Sequence, residues 1–411
     1  LPNRWLILVT AMMATFCIGG TYSFSIFAKP LMNQYSWSPS QVSLLFTIVL
    51  VMMPITMTVA GKVQDLRGPQ VALAIAGIAY ASSWFFSAYV SSLTALYLIY
   101  GVLGGLGNGA IYSCAVVNTV KWFPDKRGLA AGLTMAGSGV GVIVLAPFGT
   151  YLMQSYGVLA TFQIFGAIFV TLVLIAAYFA KTPPADYRPA GWTPPAPNAS
   201  SSISTGDKTW REMMSDPIFY VVWIMFVACA ISGLMIIGHA ATIGVEAVKL
   251  TPAVAAVAVS FLGFSNTIGR ILWGWISDHL GRYATMTIMF VISGAGMLLI
   301  GSASTFISFV IAIVAISSCF GGFFALFPPI TGDMFGMKNF GTNWGILFTA
   351  YAPAAIIGPI LAAKVKEANN GDYTLAFLVA AVICAVGAVL TLYCQYQIKK
   401  RREALSIGQV S

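Results

Sequence analysis

The chain has 411 residues, of which 58% are apolar or aromatic and only 8% are Asp, Glu, Lys or Arg, where a soluble domain carries roughly a quarter. With a mean hydropathy of +0.86, this excludes a soluble enzyme, a disordered chain and a nucleic-acid-binding module, although the net charge of +9 would by itself suggest an acidic partner. At about 20 apolar residues per crossing, the content suffices for roughly twelve membrane spans. Apolar runs place these at about 5–28, 40–63, 70–89, 92–120, 128–152 and 158–180, and again at about 217–245, 253–277, 284–303, 305–332, 340–363 and 373–398. The stretch 181–216, rich in Pro, Ser and charge, reads as a surface linker, and 399–411 as a tail. The expectation is an all-α membrane protein of twelve transmembrane helices, with one six-helix bundle over 1–180 and another over 217–398. The first run lacks a small-residue cleavage site and reads as a span, not a signal peptide. The chain opens on Leu1, so its natural start is expected upstream. All six cysteines fall inside apolar segments and read as small buried hydrophobes.

Basic residues fix the expected orientation. With both termini and the linker in the cytoplasm, every Lys and Arg outside the spans faces the cytoplasm except Lys29, Lys249, Lys364 and Lys366. The expected location is the plasma membrane. The acids Asp65, Asp125, Asp186, Asp207, Glu212, Asp216, Asp278, Asp333 and Glu403 fall at the same cytoplasmic ends; Glu246, Glu367 and Asp372 fall at the outer ends.

The two halves repeat each other. GKVQDLRGP (Gly61–Pro69) closes span 2 and GWISDHLGR (Gly274–Arg282) closes span 8. Each reads G-x-x-x-D, then a short turn with glycine and arginine. Asp65, Arg67, Asp278 and Arg282, together with basic groups such as Lys126 and Arg127 at the entry to span 5, are candidates for a charged latch between neighbouring helices. Twelve spans in two sixes, a central linker and this paired turn resemble the major facilitator superfamily. The resemblance covers nearly the whole chain. It implies two bundles about a pseudo-two-fold axis, a midplane substrate site and alternating access.

Arg270, in FLGFSNTIGRILWGW, is the one charge inside a span, about eight residues before its expected end. A cation at that depth costs about 2.5–3.5 kcal/mol on insertion scales, and arginine does not lose its proton. No carboxylate stands at comparable depth in the sequence. The guanidinium fork matches a carboxylate bidentately, so Arg270 is the candidate substrate-anion site. The alternative is a structural arginine that snorkels or bonds helix carbonyls.

Phe123–Gly141, FPDKRGLAAGLTMAGSGVG, resembles the monocarboxylate transporter signature at the entry to span 5. Its Gly128, Gly132 and Ala136 form a small face for close helix contact. WFPDKRGLA, ALFP (Ala325–Pro328) and Asn339–Trp344 also resemble the oxalate/formate antiporter branch. That resemblance implies an Arg in span 8, met by Arg270, and a Lys in span 11, which falls on Leu347. One cation suits one carboxylate, so this departure favours a monocarboxylate such as lactate or pyruvate. The animal monocarboxylate transporters carry Asp where this chain has Asn266, and a Lys in span 1 that this chain lacks after TYSF (Thr21–Phe24); both are linked to proton coupling in that family. The resemblance also implies aromatic cavity walls at Tyr22, Tyr112, Phe320 and Phe324; Asn108 and Asn266 are polar groups at depth, and the alternative for each of these six is packing or interhelical hydrogen bonding.

His239 is the only histidine inside a span, and with Glu246 it is the candidate proton port; the alternative is a neutral histidine bonding a neighbouring helix. Gly101, Gly105 and Gly109 read as close packing, and Pro353 and Pro359 should kink span 11. No Walker loop, metal-ligand cluster or nucleophile–base set appears, so no cofactor and no enzymatic activity are expected. The leading reading is a proton-coupled carrier of small monocarboxylates, functional as a monomer. The alternatives are an oxalate/formate-like exchanger and a carboxylate-binding receptor; the short linker and tail leave little room for the output domain a receptor needs.

Overall fold

A computed structural model describes residues 3–184, 187–193, 206–369 and 372–408. Asp186 and the side chains of Pro359, Lys366, Arg402 and Glu403 lie outside the described set. Every regular element among the described residues is helical. Span 1 is Arg4–Tyr22, continued after a short break by Ser25–Tyr35. Spans 2 and 3 are Pro39–Arg67 and Pro69–Ser87, and span 4 is Leu93–Trp122. Spans 7 to 10 are Pro217–Glu246, Pro252–Leu280, Arg282–Gly301 and Phe306–Phe335. Span 11 is Phe340–Phe348 followed by Tyr351–Ala368, and span 12 is Thr374–Gly408.

Among the described residues, eleven helices are long and apolar enough to cross a membrane. One of them, Arg127–Phe179, has 53 residues. At 1.5 Å per residue it would measure about 80 Å, far beyond a hydrocarbon core of about 30 Å. It turns at Gly157, whose φ of 82° only glycine adopts without strain. It therefore supplies spans 5 and 6, which makes twelve spans among the described residues.

The ends follow from local chemistry. Ser38 and Gln41 form a capping box at span 2, with Pro39 opening the helix. Thr251 and Pro252 do the same for span 8 without the box. The repeated turns close alike: Gly68 (φ 85°) joins spans 2 and 3, and Gly281 (φ 93°) joins spans 8 and 9. Span 11 breaks at Thr349 and Ala350. Pro353 explains it, because a proline has no N–H for the carbonyl four residues back, which is that of Thr349.

Two features depart from the expectation of plain helices. Span 4 is π-helical over Tyr97–Leu103. The linker holds a short helix, Trp210–Ser215, started by a Thr209–Glu212 capping box. The glycines of span 4 do pack closely: Cβ atoms at Gly101 and Gly105 would stand 2.9 Å from Ile48 and 2.6 Å from Met52 of span 2. All six cysteines are buried free thiols.

The chain divides into two compact units. The first holds residues 1–124, 133–189 and 337–349. Its core is aromatic, with Trp84 against Phe27, Tyr100, Phe162, Phe165 and Phe169. The start of the linker is pinned here, where Trp122 Nε1 donates to the Lys181 carbonyl at 2.6 Å. The second unit holds 125–132, 190–336 and 350–411. Its core includes Phe226 stacked on Phe327, and Phe290 beside Phe323. The end of the linker is pinned here by Asp216, which caps span 7 through the Ile218 N–H. Arg401 donates to both Asp216 oxygens at 2.8 Å, and Lys208 to one at 2.6 Å. The Arg401 bonds, then Lys208, hold the Asp216 carboxyl well below the usual carboxylate range against the opposing effect of burial.

Candidate substrate and gating residues

Arg270 lies in the second unit, ten residues before the end of span 8 at Leu280. Its Nε and Nη2 both donate to Oδ1 of Asn266, at 3.2 and 3.0 Å. Residues four apart share a helix face, so Asn266 orients the guanidinium. Two glycines bring neighbouring backbones onto this turn. A Cβ on Gly132, at the start of span 5, would collide with the Arg270 carbonyl oxygen. A Cβ on Gly321, in span 10, would collide with the Asn266 carbonyl and lie 3.2 Å from Arg270 Cγ. The arginine stem thus passes over Gly321, while Gly132 meets the backbone of the same turn.

Phe320 and Phe324 belong to the same unit and are buried. Their rings meet edge to face at 5.1 Å, and Phe324 also meets Tyr351 at 5.7 Å. Phe320 fills the space left by Gly233 of span 7. In the first unit, buried Tyr112 lies 5.8 Å from Phe348, and half-buried Tyr22 lies 6.3 Å from Phe46. Asn108 is fully buried. Its amide donates to Thr21 Oγ1 at 3.0 Å, Thr21 bonds the Tyr80 hydroxyl at 2.9 Å, and Tyr80 donates to the Cys17 carbonyl at 2.9 Å. That amide nitrogen is therefore engaged in tying spans 1, 3 and 4 together. His239 is half-buried on span 7, and Glu246 is exposed near its end.

The repeated acids do more than pair with basic groups: each caps a helix from the other half of the sequence. Asp65 accepts from the N–H groups of Gly341 and Thr342 at 3.1 and 2.8 Å, from Thr342 Oγ1 at 3.0 Å and from Lys121 at 3.5 Å. Asp278 accepts from the N–H groups of Gly128 and Leu129 at 2.9 and 2.8 Å and from Arg282 at 2.6 Å. The first-turn amides of a helix have no partner inside it, and its positive end favours an anion. Backbones approach closely beside each cap. Gly61 meets Gly341, and Gly345 meets Met57 and Thr58; likewise Gly274 meets Gly128, and Gly132 meets Arg270. So each G-x-x-x-D helix packs on a G-x-x-x-G helix, the small-residue crossing expected where lipid offers no hydrophobic drive.

Arg127 and Arg282 join this arrangement through Asp333, at the end of span 10. Lys126 and Arg67 are exposed and take no part in either cap. Sequence reasoning passed over three participants. Asp333 gives no local sign, because Arg127 and Arg282 are remote in sequence. Thr342 and the Gly341–Gly345 pair had a usable one, the four-residue spacing shared with Gly128 and Gly132.

The twelve-span fold and the paired caps define a polytopic carrier built from two related halves. The model of the Major Facilitator Superfamily matches residues 11–247 and 233–406, and the chain belongs to this family of membrane transporters, which are not enzymes. The chain is 31% identical over 398 residues to the oxalate:formate antiporter of Oxalobacter formigenes, covering 96% of this chain and 92% of that one. It is 24% identical to human monocarboxylate transporter 12, covering 97% of this chain and 81% of that one. Among solved structures, the fucose:proton symporter FucP of E. coli shares the fold with a TM-score of 0.71 at 14% identity, covering 96% and 99% of the two chains. The human organic anion transporter MFSD10 matches with the same TM-score and identity, covering 95% and 100%.

Proposed function

We propose that the protein is a secondary active transporter of small monocarboxylates of the lactate and pyruvate type, with the substrate carboxylate on Arg270. The observation that carries this reading is the Arg270–Asn266 pair, a guanidinium deep in an apolar helix, oriented by a neutral amide at 3.0–3.2 Å. The planar donor fork of such a group matches a carboxylate bidentately, which suits an anionic cargo. Leu347, fully buried where a second cation would serve a dicarboxylate, supports a singly charged cargo. The bundles 1–180 and 217–398 alternate access, both termini face the cytoplasm of the plasma membrane by the positive-inside rule, and the working unit is the monomer. Proton symport is the proposed coupling, with His239 as the candidate proton carrier.

A second reading, exchange of two carboxylate anions, is favoured by the 31% identity to the oxalate:formate antiporter. Uptake of labelled lactate into proteoliposomes separates the two. Accumulation driven by an acid exterior and abolished by a protonophore gives symport; uptake only into vesicles preloaded with anion gives exchange. Binding without flux would sink both. Transport by His239→Ala that is still driven by a pH gradient would remove His239 from the mechanism.

A further inference from the structure

Span 12 carries one continuous exposed apolar face. Leu375, Leu378, Val382, Val386, Val389 and Leu392 are all exposed, and steps of three and four residues put them on one side of the helix. From Leu375 to Leu392 this face rises about 26 Å at 1.5 Å per residue, close to the hydrocarbon thickness of about 30 Å. Its chemistry then changes within two turns. Tyr393 and Tyr396 are exposed, and aromatic rings with a polar tip suit the boundary between acyl chains and headgroups. Lys399 and Lys400 follow, exposed as well, with Lys400 one turn beyond Tyr396 on the same face. The helix from Leu375 to Lys400 measures about 38 Å, which places the lysines among headgroups in a bilayer about 40–45 Å thick with its polar layers. The next residue, Arg401, is committed to Asp216. The acids at the linker's end are engaged too, Asp216 also with Lys208 and Glu212 with Thr209.

We infer that this end of span 12 is a binding site for an anionic phospholipid of the phosphatidylglycerol type, in the leaflet on the linker's side. Its acyl chains lie along Val386, Val389 and Leu392, the two tyrosine hydroxyls meet the glycerol ester region, and Lys399 and Lys400 take the phosphate. Charge selects the headgroup: a zwitterionic lipid brings a cation of its own to the two lysines, whereas phosphatidylglycerol brings only the anion. A second protein helix suits this face poorly. Helices associate in lipid through small residues that let backbones approach, and Gly387 of this helix is turned inward onto Phe290, leaving mainly leucine and valine outside.

The test is native mass spectrometry of the detergent-purified chain, titrated with phosphatidylglycerol or phosphatidylcholine of identical acyl chains. A basic side chain at an anionic lipid surface is worth about fivefold in affinity, so two give roughly 30-fold. The wild type should bind its first phosphatidylglycerol more tightly than its first phosphatidylcholine by about that factor, and the preference should shrink as salt is raised. The double variant Lys399→Gln with Lys400→Gln brings the ratio near one by weakening phosphatidylglycerol and leaving phosphatidylcholine unchanged. Both lysines are exposed, so the variant keeps its fold, and an unaltered melting temperature in plain detergent confirms it. Lys364→Gln, an exposed lysine on span 11, removes one charge elsewhere and keeps the ratio. A wild type that does not tell the two lipids apart, or a ratio that survives the double variant or falls equally in Lys364→Gln, overturns the inference. So does a dimer of the chain that excludes the lipid and is broken by Val389→Trp.

Discussion

Replacing Asp278 by asparagine tests the helix caps most directly. The aspartate accepts from the Gly128 and Leu129 amides at 2.9 and 2.8 Å and from Arg282 at 2.6 Å. Asparagine keeps one acceptor oxygen and loses the charge, so one amide bond disappears and the other becomes neutral. A hydrogen bond to a charged group contributes about 1.5–3 kcal/mol, and an anion at a helix N-terminus about 0.3–1 kcal/mol more. Together the loss is about 2–4 kcal/mol, or roughly a 30- to 800-fold shift toward the uncapped state. Hydrogen exchange resolved to single amides reads this shift, because Gly128 and Leu129 lie in the first turn of their helix and owe their protection to Asp278. Their exchange should accelerate by that factor in Asp278→Asn. The Ala130 amide, bonded to the Lys126 carbonyl at 2.9 Å, and the Gly341 and Thr342 amides on Asp65 serve as internal references. Unchanged exchange at Gly128 and Leu129 would refute the capping role.

Three further outcomes are expected. Arg270→Lys keeps the charge but not the planar fork, so carboxylate uptake should fall at least about tenfold; Arg270→Gln should abolish it, and wild-type rates in both variants would end the substrate assignment. Gly132→Ala puts a methyl group against the Arg270 carbonyl and should cost about 1–3 kcal/mol, read as a lowered melting temperature, with Ala136→Gly as a nearby variant that adds no bulk. The folded Asp216 carboxyl titrates below its ordinary value of 3.8, so its stabilisation is complete above that value and is lost as the pH falls through and below it. Melting temperatures followed from pH 6 downward should therefore drop less steeply in Asp216→Asn than in the wild type, and parallel curves would exclude the clip.

Much of the fold was legible because a membrane span is a one-dimensional signal. A run of about 20 apolar residues needs no partner to be recognised, and the runs at 70–89 and 284–303 match Pro69–Ser87 and Arg282–Gly301 closely. The turns were legible from Gly68 and Gly281, which the sequence repeats in matching places. The π-helical stretch Tyr97–Leu103 was not, because its apolar residues keep no period that distinguishes five-residue from four-residue hydrogen bonding. For the site, Arg270 was conspicuous as a charge in an apolar run, and Asn266 as its neighbour one turn earlier. What sequence could not give was the third dimension. That Gly132 and Gly321 press on the Arg270 turn depends on which spans are adjacent. That Asp278 caps span 5 while Arg127 reaches Asp333 depends on residues more than a hundred positions apart.

The single-glycine reversal at Gly157 leaves spans 5 and 6 without any connecting loop. A protease, an antibody or an inserted epitope therefore finds no slack there, and any L-residue in its place would have to hold a left-handed backbone. Reporter tags meant to map that side of the membrane belong instead in longer connections such as Ala88–Ser92, where extra residues can be added without unseating a helix.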